Sequence, residues 1–362
     1  MAKAPKSDII PDLDAMPGMP LPQEQQRLFG HGYAERTLLE AYRSRRMHHA
    51  WIIGGPKGIG KATLAFRFAK FAQTYPDRFS PECGSANDLS IQPSQEDTIG
   101  NIQAHTNILH LKRPWDKNAK RYKTELTVDE VRRTVPFFGT TSGGQGWRIC
   151  IVDSADEMNK NAANALLKVL EEPPDRSIFL ILSHAPGRIL PTIRSRCRRL
   201  DVKPLTMEDL SAALQNLGLT KTHTSEDVEH AQILSGGSVR RAALLLENGG
   251  VDTARAFDAL VGSLPNLDVR KLHVFAEKVS TRGADDLYDI FKDLLRDRIA
   301  SNLRKDADAG RRARNLVSWA DVWEKANKSI TLADALNLDR KQVVLNAFRS
   351  MADSMAMMST KD

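Results

Sequence analysis

A chain of 362 residues, 27% charged and 41% hydrophobic, has the balance of a globular protein and the length of two or three domains. Its three cysteines, Cys83, Cys150 and Cys197, exclude a disulfide framework. They show no CxxC or Cys/His ligand spacing, so no zinc is expected and a reducing, intracellular setting fits. Lys and Arg outnumber the acids 52 to 45, a net charge of +7 that permits nucleic-acid contact without requiring it.

Residues 1–25 are Pro-rich with no apolar leader-like run, and read as a mobile tail. No stretch of the chain reaches the roughly 18 apolar residues of a membrane span. His49 to Gly55 is a short apolar run ending in glycines, a buried strand. Leu64, Ala65, Phe68, Ala69 and Ala72 then recur at helical spacing over 61–73. Residues 75–104 are polar, with scattered Pro, Gly and Ser, and read as a long loop or insertion. A second strand is expected at 107–111. Thr127 with Glu130 has the capping-box spacing and predicts a helix through Val131 and Val135. GTTSGGQG at 139–146 reads as a turn. A third strand runs over 147–153 and closes on Asp153. Residues 160–172 form an amphipathic helix with Ala162, Ala165, Leu166, Val169 and Leu170 on one face, stopped by Pro173 and Pro174. A fourth strand covers 177–183. A basic turn or helix follows at 192–199, and a fifth strand at 199–202. Strands alternating with helices imply a parallel sheet covered on both faces. After residue 203 the strand runs stop. Short helices include 207–217 and 238–246, and helical patterns continue at 254–261, 272–279, 284–301, 316–326 and 341–355. The chain thus divides into a tail (1–25), an α/β domain (26–203), a small helical lid (204–250) and a helical C-terminal domain (251–362).

The sequence GPKGIGKAT at 55–63 is a P-loop with one residue changed. Gly55, Gly58, Gly60 and Lys61 supply the cradle for phosphates, in the strand–turn–helix context that such a loop needs. The next position, whose hydroxyl would hold Mg²⁺, is Ala62. Thr63 is one residue late and points about 100° away around the helix. Asp153 ends its strand as a metal-side aspartate should, but Ser154 stands where working ATPases of this kind carry an acid. Asp156 and Glu157 follow a turn that aims them elsewhere. Two gaps, at the metal and base positions, argue against efficient hydrolysis. Nucleotide binding without hydrolysis stays open, and no cofactor is required. Arg194, Arg196, Arg198 and Arg199 form a second cluster. By composition alone they read as a solvated basic surface or as a phosphate-binding fork.

The segments GPKGIGKAT, IVDSADEM, NAANALLKVLEEPP and FLILSHAP, with Ser195-Arg196-Cys197 and Gly237-Ser238-Val239-Arg240, resemble the AAA+ clamp-loader subunits of bacterial DNA polymerase III in order and spacing. The resemblance covers roughly 25–250 and is nearest to the delta-prime branch, which is not the ATPase motor. It implies an AAA+ P-loop domain with a parallel sheet, a small helical lid and an all-α collar domain. It implies a cytoplasmic protein, with no membrane association, that works with gamma/tau and delta subunits to load the sliding clamp at primed DNA. Such a chain is a subunit of a DNA-directed DNA polymerase, a nucleotidyltransferase. Its own nucleotide site (Gly55, Gly58, Gly60, Lys61, Thr63, Asp153 and Arg240) is degenerate. Arg240 maps to the sensor-2 arginine, and His184, with Ser183 beside it, maps to sensor 1. Arg196 maps to a finger that enters the ATP site of a neighbouring subunit. Many relatives carry a four-cysteine zinc module after the P-loop helix. Here only Cys83 remains, so no zinc is implied. Two other readings are an active gamma/tau-type motor ATPase, against which Ala62 and Ser154 speak, and a non-replicative DNA-binding module on a dead P-loop fold.

Overall fold

The structure is a computed structural model and describes residues 12–16, 18–44, 47–92, 95, 105–139, 146–247, 249–308, 313–336 and 338–359. The turn expected at 139–146 lies largely outside the described residues. The chain divides into two compact units, Met1–Leu217 with Gly236–Arg240, and Gly218–Ser235 with Arg241–Asp362. Residues 204–250 are therefore shared between the two.

The first unit is built on five parallel strands: β1 (Ala50–Gly54), β2 (Ile108–Leu111), β5 (Arg148–Val152), β6 (Ser177–Ser183) and β7 (Arg198–Asp201). They lie in the order β2-β5-β6-β1-β7. The order explains the composition. β1 and β6 are interior and buried along their whole length, so they read as unbroken apolar runs rather than as alternation. On one face Ile52, Cys150, Val152, Phe179 and Ile181 pack with Ala162, Leu166 and Leu170 of α6 (Lys160–Glu171). On the other, Trp51, Ile53, Ile151 and Leu180 are equally buried, and α2 (Lys61–Thr74) packs against β6. α1 (Gly32–Arg43) joins α2 through Tyr42, whose ring meets Phe68 edge-on at 5.7 Å. Asn159 caps α6, its side chain accepting from the Ala162 amide at 2.9 Å. Asn159→Ala is expected to destabilise this unit by about 1 kcal/mol, read as a lower urea midpoint.

The sheet ends at β7, where Arg198, Arg199 and Asp201 are exposed. The Arg198 guanidinium lies 4.8 Å from the centroid of the Trp51 ring, and Arg199 pairs with Asp201 at 2.8 Å.

Three details differ from the sequence reading. The helix expected through Val131 and Val135 is two short ones, α4 (Val128–Arg132) and α5 (Thr134–Gly139), and Thr127 makes no side-chain cap bond. Pro136 has no N–H to offer Arg132, so the ladder breaks there. The 75–104 segment holds a helical turn, α3 (Pro81–Ser85), capped by Ser80, with Cys83 buried in it. A two-stranded hairpin, β3 (Trp115–Asp116) with β4 (Arg121–Tyr122), follows β2 and was not anticipated. The first unit also holds α7 (Pro191–Arg194) and α8 (Met207–Asn216).

The second unit is helical throughout its described residues. After the short helices α9 (Leu219–Thr222), α10 (Ser225–Ser235) and α11 (Val239–Leu246, which begins in the first unit) come α12 (Gly250–Gly262), α13 (Val269–Ser280), α14 (Asp285–Asp308), α15 (Ala313–Leu336) and α16 (Arg340–Ser359). Four helices each send one phenylalanine to a common centre: Phe257, Phe275, Phe291 and Phe348. No described helix is long and apolar enough to cross a membrane.

Candidate functional site

β1 runs into the P-loop without a break in pairing: the Val202 amide donates to the Gly54 carbonyl at 2.8 Å, and the Gly55 amide to the Ser183 carbonyl at 3.2 Å. A β-carbon at Gly55 would lie 2.4 Å from the Val202 carbonyl oxygen. At Gly58, with φ +76°, it would lie 2.5 Å from Ser238 Oγ and 2.6 Å from Arg240 Cβ. These two glycines therefore answer to packing as well as to the turn. Gly60 caps α2 in the left-handed region, so the first amides of a 14-residue helix face the loop. His31 secures the loop from outside, its Nε2–H donating to the Ile59 carbonyl at 2.5 Å.

Lys61 is buried, and its Nζ donates to the carbonyls of Gly55 at 2.6 Å and Pro56 at 2.5 Å. Burial, only partly offset by Asp153 and Asp156, draws its pKa down to about 8. Asp153 follows β5, its amide donating to the Leu111 carbonyl at 2.8 Å. His110 Nε2 lies 3.5 Å from Asp153 Oδ2, an ion-pair distance. Burial opposes the Asp153 charge, but His110, His184 and Lys61 outweigh it and hold the carboxyl below its ordinary value.

Ser154 adopts left-handed backbone, φ 62°, and its Oγ sits 3.2 Å from His184 Nε2. The His184 amide donates to Asp156 Oδ1 at 2.8 Å, and Glu157 pairs with Arg113 at 3.0 Å. Both acids after the strand thus have partners of their own, though Asp156 stays near enough to Lys61, and Glu157 to Lys57, to act on the loop electrostatically. Burial first, with Lys61 and Lys57 nearby, lowers the His184 pKa to about 4, so it is neutral at physiological pH. The unfolded chain takes up a proton near the ordinary value of 6.5 that the folded chain refuses, so stability present above 6.5 is lost as pH falls toward 4. His184→Gln is expected to flatten that decline in urea unfolding followed from neutral to acid pH.

Phosphates fit the loop amides and Lys61. Magnesium fits poorly: Ala62 has no hydroxyl, Thr63 is buried on α2, and Asp153 faces His110. Among the described residues no cluster of three His, Cys, Asp or Glu could hold a metal ion.

Arg240 joins the same site. Its amide donates to the Gly58 carbonyl at 3.1 Å, and Ser238 Oγ donates to the Lys57 carbonyl at 2.9 Å. The Arg240 guanidinium donates to the Asp14 carbonyl at 2.9 Å and lies 3.7 Å from Asp14 Oδ1. Lys112 Nζ donates to Asp12 Oδ2 at 2.5 Å. Sequence reasoning missed His110, Asp12 and Asp14. The segment expected to be a mobile tail meets the site at these two acids.

Arg196 stands apart, between α7 and β7. It pairs with Glu171 at the end of α6 at 2.8 Å and donates to the Thr192 carbonyl at 3.0 Å. Cys197 beside it is half-buried, its thiol pushed up to about 12 by burial, which suits a packing residue rather than a nucleophile.

A family model described as DNA polymerase III, delta subunit, matches residues 30–206. A DNA polymerase III subunit delta' from Pseudomonas aeruginosa is 31% identical over 220 residues, covering 59% of this chain and 61% of that protein. A subunit gamma from Buchnera aphidicola is 29% identical over 230 residues, covering 63% of this chain and 58% of that one. The chain therefore spans about three fifths of the length of these relatives. A solved structure, a gamma-subunit-related protein from Thermotoga maritima, aligns at a TM-score of 0.41 with 18% identity over 88% of this chain and 98% of that one, too low a score to carry weight. The α/β domain, with its P-loop, its aspartate-ended strand and its Ser-Arg-Cys turn, is thus similar to DNA polymerase III subunits of the clamp-loader family over the matched residues.

Proposed function

We propose that the chain is a delta-prime-type subunit of a clamp loader. It helps to load the sliding clamp at primed DNA in the cytoplasm, together with gamma/tau and delta subunits. It hydrolyses little ATP itself and contributes Arg196 as an arginine finger to the nucleotide of a neighbouring subunit. The observation that carries this reading is the pairing of two defects with one exposed asset. Ala62 and Ser154 leave the metal and base positions unfilled, and Ser154 is turned toward a neutral His184. Arg196 sits on an exposed turn, in an ion pair with Glu171 at 2.8 Å. Residues 204–250 serve as the lid and 251–362 as the collar through which subunits associate. Lysines and arginines track the DNA backbone without reading sequence.

The test is reconstitution with gamma/tau and delta. A stable complex should form, and its DNA-stimulated ATPase should depend on Arg196. An Arg196→Ala complex with wild-type turnover would sink the finger.

A second reading, a gamma/tau-type motor, draws on the retention of Lys61 and Asp153 and on the similarity to a gamma subunit. It predicts brisk turnover by the isolated chain that Ala62→Ser with Ser154→Glu leaves unchanged. The delta-prime reading predicts negligible turnover before those changes.

A further inference from the structure

Asp12 and Asp14 fold into a tight acidic turn. The Asp14 amide donates to Asp12 Oδ1 at 3.0 Å, and the Ala15 amide to the Asp12 carbonyl at 3.1 Å. Lys112 anchors the turn through Asp12 at 2.5 Å. Lys112 directly follows Leu111, whose carbonyl receives the Asp153 amide. The anchor thus stands one residue from the strand pair that carries Asp153. On its other side the turn meets Arg240, which is fixed to the P-loop through the Gly58 carbonyl at 3.1 Å.

We propose that residues 12–16 are an internal anionic cap on the nucleotide site, in which Asp14 occupies Arg240 in competition with the phosphates of a nucleoside triphosphate. The inference deepens the nucleotide-site reading above and rests on it. Asp14 supplies two acceptors to one guanidinium, its carbonyl at 2.9 Å and Oδ1 at 3.7 Å. A phosphate oxygen offers the same guanidinium the same chemistry. The cap is also placed against resistance. Burial and the facing Asp153 push the Asp14 carboxyl above its ordinary range, while Arg240 and His110 pull the other way. Two carboxylates turned toward one site repel, so the cap is held by Arg240 and Lys112 against that repulsion. An equilibrium of this kind yields to a more highly charged competitor. While the cap is docked, the apparent affinity for nucleotide falls by the fraction of molecules left uncapped.

The test uses the full-length chain, with two readouts. Binding of a fluorescent ATP analogue is followed by anisotropy, with chelator present so that metal plays no part. Hydrogen exchange is measured in the peptide holding residues 12–16, with and without saturating ATP. The cap predicts protection of 12–16 in the wild type and loss of that protection in Arg240→Ala. It predicts faster exchange of 12–16 when ATP is added. Asp12→Ala with Asp14→Ala removes both carboxylates and the Lys112 anchor while leaving the Asp14 carbonyl, and should bind the analogue about tenfold tighter, the equivalent of about 1.4 kcal/mol. Lys112→Ala, which leaves Asp14 in place, should shift binding in the same direction by less. Exchange across α2 reports whether each variant is folded.

The proposal is overturned if the double variant binds no better than wild type, including the case in which neither binds. It is also overturned if ATP binds and leaves exchange at 12–16 unchanged. Either result leaves the Arg196 assay untouched. An Arg196→Ala complex with wild-type turnover, in turn, removes the finger without altering exchange at 12–16.

Discussion

In a loader reconstituted with gamma/tau and delta, Arg196→Ala is expected to lower DNA-stimulated turnover at the site it serves by about three orders of magnitude, at the lower end of the range for fingers supplied in trans. That factor is about 4 kcal/mol of transition-state stabilisation. The energy needed to free the finger is much smaller. Its side chain is 37% exposed and that of its partner Glu171 is 43% exposed, and an ion pair so open to water is worth at most about 1 kcal/mol. Moving Arg196 from Glu171 to a phosphoryl group therefore has a large net gain available to it. Glu171→Ala should change turnover little. Arg196→Lys should rescue poorly, because an ammonium lacks the planar fork that spans two phosphoryl oxygens. Steady-state kinetics separate the outcomes: a finger that acts only in the transition state lowers kcat and leaves KM nearly unchanged.

Phe348→Ala is expected to cost about 3–5 kcal/mol in the helical unit, the usual range for emptying a buried aromatic site. Phe348 is fully buried. Its ring centroid lies 5.5 Å from that of Phe257, 5.8 Å from Phe275 and 6.4 Å from Phe291. One deletion thus strips contacts from α12, α13 and α14 together, and the edge-on pairs add to the area lost. Against a total stability of about 5–15 kcal/mol, such a loss leaves little margin. Hydrogen exchange resolved by segment is the appropriate measurement, since a chain of two units need not unfold in one step. A loss below about 1 kcal/mol would show that the four rings are not what holds these helices together.

Much of the α/β domain was legible in the sequence because its signals are local. Interior strands such as β1 and β6 are apolar along their whole length, and α2 and α6 repeat their apolar residues every three or four positions. The P-loop glycines and Lys61 were legible because a phosphate cradle constrains neighbours in the chain. What failed to appear was non-local or was overruled locally. Thr127 and Glu130 have the spacing of a capping box, yet the Thr127 side chain makes no cap bond and Glu130 pairs with Arg133. β3 and β4 are two residues each, too short for any alternation to show. The acids that complete the site come from far away in the chain: Asp12 meets Lys112 across 100 residues, and Asp14 meets Arg240 across 226. No periodicity connects such positions. Asp12 and Asp14 in a Pro-rich segment have the composition of a loose end until the fold supplies their cations.

The charged rim of the sheet has a consequence for the behaviour of the protein in a crowded solution. A parallel sheet must end somewhere, and its last strand offers a row of unpaired backbone groups to any passing chain. Here that strand is β7, four residues long, with Arg198 lying over Trp51 and Arg199 tied to Asp201. A second copy adding a strand along this border would have to desolvate both guanidiniums, so the border is a poor template for runaway self-association. Swapping Arg198 and Arg199 for valines would take the cation off the Trp51 ring and make the border adhesive. The arginine-rich stretch that leads out of the Ser-Arg-Cys turn thereby keeps the border charged beside central strands that are almost wholly apolar.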